Sequence, residues 1–257
     1  ARENPILVPR GSGFESRAVF NAAAIDLEGS VHILYRAMSA DNTSTFGYAR
    51  SVDGIHIDER FDTPAYVPRA DFESKRGKSD GNSGCEDPRL IVIDGRIHLT
   101  YTAYDGVHNP RGAASSINIE DFLAKRFDRW SEPVLITPDE VDDKDIGLLS
   151  EKVDDSYLLY HRINGRICAD LVPNLSFEKR VSRCIEIMGP REGMWDGMKV
   201  GIAGPPIKVE GGRWLLIYHG VSHHTHYRLG AALLDHSGLI VLARSADEIF
   251  QAVEPYE

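Results

Sequence analysis

Apolar and polar positions along the chain fall into four copies of one phrase. A polar turn leads into an alternating apolar run, which ends in tyrosine plus a polar residue. The copies end at Tyr35-Arg36, Tyr101-Thr102, Tyr160-His161 and Tyr218-His219, with tyrosines 66, 59 and 58 residues apart. Self-similarity at a steady period marks a repeat architecture. The alternation predicts β-strands, and turns such as Glu28-Gly29 and Asp94-Gly95 predict hairpins between them.

Each repeat reads as three strands. The first has 19–25, 31–35 and 46–51, and the second 88–93, 97–101 and 112–117. The third has 148–153, 157–160 and 167–171, and the fourth 206–209, 214–218 and 229–234. Only 118–127 and 246–253 have helix-like composition. Segments 57–84 and 131–145, rich in Asp, Pro, Gly and Ser, read as loops, long enough to be functional or mobile. Roughly 60 residues per unit fits a blade of a β-propeller. The expectation is all-β, one propeller domain over 1–257, with a β-sandwich as the alternative. The 22 residues from 236 to 257 are too few for a whole fifth blade.

Composition narrows the function classes. The chain has 257 residues, 42% of them hydrophobic, and a net charge of −10. It can bury a core, and the negative charge disfavours nucleic acid and anionic membranes as partners. No apolar run approaches the roughly 20 residues of a membrane helix. Cys85, Cys168 and Cys184 form an odd, sparse set without Cys-x-x-Cys spacing. That pattern predicts reduced thiols and a cytoplasmic setting. The chain starts at Ala1 with no charged-then-apolar leader in view.

Candidate chemistry gathers at strand ends. Gly84-Cys85-Glu86-Asp87-Pro88-Arg89 pairs two carboxylates with an arginine. Pro88 is expected to push Asp87 toward extended geometry, and an enclosed carboxylate there suits a general acid. The competing reading is an Asp-Pro turn with a surface ion pair. Asn21 and Arg36 interrupt apolar runs, and a buried Asn or Arg is costly unless paired. Lys144, Arg162 and Lys199 occupy repeat-related positions, where they form either one anion pocket or three unrelated surface charges. His219, His223, His224 and His226 lie near Tyr227, but their spacing matches no zinc pattern, so no metal is expected.

Together these strings resemble glycoside hydrolase family 130, the β-mannoside phosphorylases and mannosidases. The resemblance is carried by Asn4-Pro5-Ile6-Leu7, Val19-Phe20-Asn21, Leu34-Tyr35-Arg36-Ala37, Gly84 to Arg89, Tyr101-Thr102-Ala103-Tyr104, Trp195-Asp196, Gly204-Pro205-Pro206, Ile217-Tyr218-His219-Gly220 and Tyr227 through Asp235. The strings run in family order over nearly the whole chain. The resemblance implies a five-bladed β-propeller with four blades clear here and the last incomplete. It implies that Asp87 is the catalytic acid, passing its proton through the 3-hydroxyl of the mannosyl residue. It implies that Asn21, Arg36 and Asp196 hold the sugar. Lys144, Arg162, Lys199 and Tyr227 match positions that hold inorganic phosphate. The expected reaction is inverting phosphorolysis of a β-mannoside to α-mannose 1-phosphate, with phosphate as co-substrate and no cofactor.

This chain departs from the family pattern in places. Asp145 stands where Asn is usual, and Leu148-Leu149-Ser150-Glu151 replaces a Phe-Pro-Glu run. The chain ends at Glu257, where members continue into a last blade. An unclosed ring would expose a strand edge and invite pairing with a second copy. Two alternatives stay open: a β-mannosidase, with Glu151 or Asp196 as water-activating base, and a non-catalytic glycan-binding propeller.

Overall fold

Each predicted repeat folds as a sheet of antiparallel strands, four deep. A computed structural model describes residues 4–181 and 183–254. Two compact units divide the chain, one running to Leu135 and one starting at Ile136. The all-β expectation holds.

In the first unit, β1 (Ala18–Leu27), β2 (Ser30–Met38), β3 (Thr43–Ser51) and β4 (Glu59–Arg60) pair in chain order. Next come β5 (Ser83–Ile93), β6 (Arg96–Tyr104), β7 (Arg111–Asn118) and β8 (Val134–Leu135), again in order. A short parallel contact, Thr43 with Ser83 and Ser44 with Gly84, joins the two groups. Gly84 is required there. Its φ is +103°, and a side-chain carbon would run into the backbone of Ser44.

The second unit repeats the plan. β9 (Lys144–Val153), β10 (Ser156–Ile163), β11 (Arg166–Val172) and β12 (Ile185–Met188) form one sheet. In the other, β13 (Lys199–Ile202) and β14 (Ile207–Val209) both pair with β15 (Arg213–Val221). Then β17 (Val241–Arg244) and β18 (Phe250–Gln251) both pair with β16 (Tyr227–Leu234), which itself pairs with β15. The innermost and outermost strands of this sheet are each interrupted once.

The tyrosines of the repeated phrase are core anchors. Tyr35 is 1% exposed, and Tyr101, Tyr160 and Tyr218 are fully buried. A buried hydroxyl needs a partner, and each finds one on a distant segment. Tyr35 donates to Glu15 (2.8 Å), Tyr101 to Glu73, Tyr160 to the Gly238 carbonyl (2.7 Å) and Tyr218 to Asp196 (2.9 Å). Ile33, Ala37 and Ala49 pack with Tyr35; Leu34, Phe46, Leu99, Phe122 and Trp130 with Tyr101; and Leu158, Trp195, Trp214 and Leu216 with Tyr160 and Tyr218.

Three expectations change. Residues 246–253 are not helical. The Ile249 amide bonds to the Leu229 carbonyl (2.8 Å), and β18 follows, so sheet pairing overrides composition. Within 118–127 only Ile119–Leu123 is helical (α1). Finally, Cys168 and Cys184 form a disulfide, with Cα atoms 4.9 Å apart, while Cys85 is free and buried. That corrects the expectation of three reduced thiols, because the pairing of β11 with β12 brings the two cysteines within bonding reach. The denatured protein should therefore react with a thiol reagent once per chain without reductant and three times after reduction. Three reactive thiols in both cases would contradict the bond.

Candidate functional site

Three inner strands carry the same irregularity. The ladder of β1 on β2 slips between Phe20 and Ala23, and that of β5 on β6 between Glu86 and Arg89. The ladder of β9 on β10 slips where Lys144 and Gly147 face Arg162 and Tyr160. Each slip holds one residue in the left-handed region: Asn21 (φ 45°), Asp87 (φ 53°) and Asp145 (φ 54°). Asn and Asp tolerate that conformation better than other side chains with a β-carbon. A β-bulge bends the strand and re-aims a side chain. Asp87 is thus not extended, as its position before Pro88 suggested; the bulge sets its backbone instead.

In the first unit the bulges bring Asn21, Arg36 and Asp87 together. Asn21 Nδ2 donates to Asp87 Oδ1 at 2.8 Å, and Arg36 Nη1 to the same oxygen at 3.1 Å. Arg36 also bonds Glu86 Oε1 (2.7 Å) and Ser44 Oγ (3.0 Å), and its guanidinium lies over the Phe20 ring at 4.7 Å. Arg89 Nη1 reaches the carbonyls of Asp87 and Pro88, each at 3.0 Å. The Asp87 side chain stays 19% exposed, while those of Arg36 and Glu86 are under 10%. Burial opposes ionisation of Asp87. The charges of Arg36 and Arg89, with the hydrogen bonds from Asn21 and Arg36, outweigh it and hold the carboxyl below its ordinary range. Arg36 is therefore committed to the two carboxylates.

In the second unit Asp145 forms the hub. Its Oδ2 accepts from Arg162 Nη1 at 2.7 Å and lies 3.4 Å from His219 Nε2. The His219 ring packs 5.6 Å from the Tyr227 ring, and Lys199 Nζ donates to Tyr227 Oη at 2.6 Å. Lys144 faces Arg162 across the ladder. Arg162, Lys199 and Tyr227 thus meet in one chain of contacts through His219, a residue absent from the expected set. Its position was visible, since it follows the fourth repeat tyrosine as Arg36 follows the first. Behind Arg162, Asp143 accepts from the His161 ring (2.7 Å) and the Arg162 amide (3.2 Å). Burial pushes the Asp143 carboxyl up despite these bonds.

Asp196 lies inside a buried network of cations. Its side chain is fully buried and takes Tyr218 Oη (2.9 Å), Arg191 Nη2 (2.8 Å) and Arg244 Nη2 (2.5 Å) on one oxygen, with Arg191 Nε at 3.1 Å on the other. It is the acceptor that anchors a repeat tyrosine, as Glu15 and Glu73 are, and no surface remains for a sugar or a water. Glu151 is half exposed and pairs with Lys208 at 2.5 Å on the strand's far part, outside the hub. Neither is placed as a base. His223, His224 and Thr225 lie in the turn between β15 and β16, all exposed.

The sequence model of glycoside hydrolase family 130, described as beta-1,4-mannooligosaccharide phosphorylase, matches residues 7–257. The beta-1,2-mannobiose phosphorylase of Thermoanaerobacter sp. (strain X514) is 37% identical over 90% of this chain and 74% of its own length. The 1,2-beta-oligomannan phosphorylase of the same strain is 33% identical over 97% of this chain and 80% of its own. The crystal structure of a putative glycoside hydrolase from Bacteroides ovatus superposes with a TM-score of 0.80 at 24% identity, covering 98% of this chain and 82% of that one, so the fold is shared. On this evidence the chain belongs to glycoside hydrolase family 130, a family of mannoside-cleaving enzymes.

Proposed function

We propose that this chain is an inverting phosphorylase of β-1,2-linked mannosides that releases α-mannose 1-phosphate. One observation carries the reading: Arg162, His219, Tyr227 and Lys199 form a single contact chain of anion-binding side chains. Phosphate is already charged and needs no base, only cations and donors that hold and orient it. The two curated relatives above 30% identity, both named for β-1,2-mannosides, support the linkage.

In this scheme Asn21 and Arg36 fix Asp87, which protonates the glycosidic oxygen through the sugar's 3-hydroxyl. A phosphate oxygen bonds to the anomeric carbon as the C–O bond breaks, and the leaving sugar keeps the proton. Asp87 is ionised in the free protein, so the acid form arises only in the loaded enzyme. A desolvating sugar and added negative charge both favour it. An inverting hydrolase would instead need a second carboxylate, roughly 6.5–9.5 Å from the acid, to activate water. Asp196 and Glu151 are both engaged elsewhere.

Incubation with β-1,2-mannobiose should yield equal amounts of α-mannose 1-phosphate and mannose, and only when inorganic phosphate is present. Release of mannose at the same rate without phosphate would make the chain a mannosidase.

A further inference from the structure

We infer that Asp145 makes the anion site selective for oxyanions that carry a proton, so that it accepts phosphate and rejects sulfate. The inference rests on the phosphorylase reading and adds to it a rule for which anion is admitted.

Asp145 is a carboxylate set among groups that attract anions. It is 5% exposed and touches Arg162 on β10 and His219 on β15 through Oδ2 alone. Its Oδ1 has no hydrogen-bond partner among the described residues. Lys199 on β13 and Tyr227 on β16 follow His219 in the chain of contacts, Lys144 shares the strand of Asp145, and Asp143 lies just before that strand. Asp143 is occupied by His161 and the Arg162 amide, so it offers no competing acceptor. Gly201 on β13 leaves the room, because a side-chain carbon there would meet the Asp145 carboxylate and lie 2.6 Å from the His219 ring. The backbone is therefore shaped to admit this carboxylate.

A carboxylate can only accept hydrogen bonds. An oxyanion approaching the donors of Arg162, Lys199 and Tyr227 must also face Asp145. Phosphate at neutral pH retains at least one P–OH, which can donate to Oδ1 and turn a like-charge contact into a charge-assisted hydrogen bond. Sulfate has no proton at that pH. It meets a buried acceptor with another acceptor, leaving lone pairs opposed and the carboxylate unsatisfied. Selectivity then comes from a repulsive element directed at the wrong ligand. Arsenate, protonated like phosphate, should be accepted.

The test is calorimetric titration of the intact protein at neutral pH with phosphate, arsenate and sulfate, alongside phosphorolysis of β-1,2-mannobiose. Phosphate and arsenate should bind at least about tenfold tighter than sulfate. Asp145→Asn supplies an amide donor on the same backbone, so sulfate should gain about tenfold relative to phosphate. The wild-type ratio stands as a test whether or not the variant folds. Equal binding of phosphate and sulfate by a protein that performs phosphorolysis would overturn the selectivity and leave the phosphorylase reading intact. A variant that shifts both anions equally would also overturn it. Absence of both anion binding and phosphorolysis would overturn the two readings together.

Discussion

Asp87→Asn should lower kcat for phosphorolysis of β-1,2-mannobiose by about 100- to 10,000-fold, the usual contribution of a positioned general acid. The variant should fold. Asn tolerates the left-handed backbone that Asp87 adopts, and its amide oxygen can still accept from Asn21 and Arg36. What disappears is the proton. The loss should therefore depend on the leaving group. A nitrophenyl β-mannoside, whose oxygen departs without full protonation, should recover much of the rate in the variant, while mannobiose should not. A loss of less than about threefold with mannobiose would remove Asp87 from the acid role.

The second large effect concerns stability. Asp196→Ala should cost about 3–5 kcal/mol in urea unfolding, the range for removing one partner of a buried ion pair. Arg191, Arg244 and the Tyr218 hydroxyl would all lose their acceptor. The pH dependence has a defined sign. Burial opposes ionisation of Asp196, but Arg191, Tyr218 and Arg244 outweigh it and hold its carboxyl below the ordinary value. The folded protein thus binds that proton less readily than the unfolded chain. The stabilisation is complete above about pH 4 and is lost as pH falls through the folded value. Asp196→Ala should lose stability at neutral pH and show a shallower acid limb. If stability were unchanged and KM for mannobiose rose instead, the residue would be a sugar contact after all.

Much of the architecture was legible because alternation is a strong signal wherever a strand has one buried face. The central strands β2, β6, β10 and β15 fall where the tyrosine phrase predicts them, each four residues longer. The outer strands β4, β8, β17 and β18 were missed because they are two to four residues long and contain exposed or half-buried positions. Pairing in such strands is set by neighbours rather than by pattern. The bulges were also invisible, since a ladder slip depends on the partner strand. The Trp195-Asp196 string looked like part of a pocket, and only burial shows it to be an anchor. His219 could have been found by applying the repeat to the residue after each tyrosine. The disulfide had no local signal, because Cys168 sits inside β11 and Cys184 just before β12.

The matching bulges at Asn21, Asp87 and Asp145 set a small chemical alphabet. A left-handed backbone within a strand excludes β-branched and bulky residues, and it favours Gly, Asn and Asp. At each such place the fold can write no side chain, an amide or an acid. The last two have almost the same shape and differ by one group, NH₂ or O⁻. On the proposed reading, a sugar-facing donor, a proton source and a filter for anions would be neighbouring spellings of one slot. The family's branches could exchange one chemistry for another by swapping Asn and Asp, leaving the strand path and its packing unaltered.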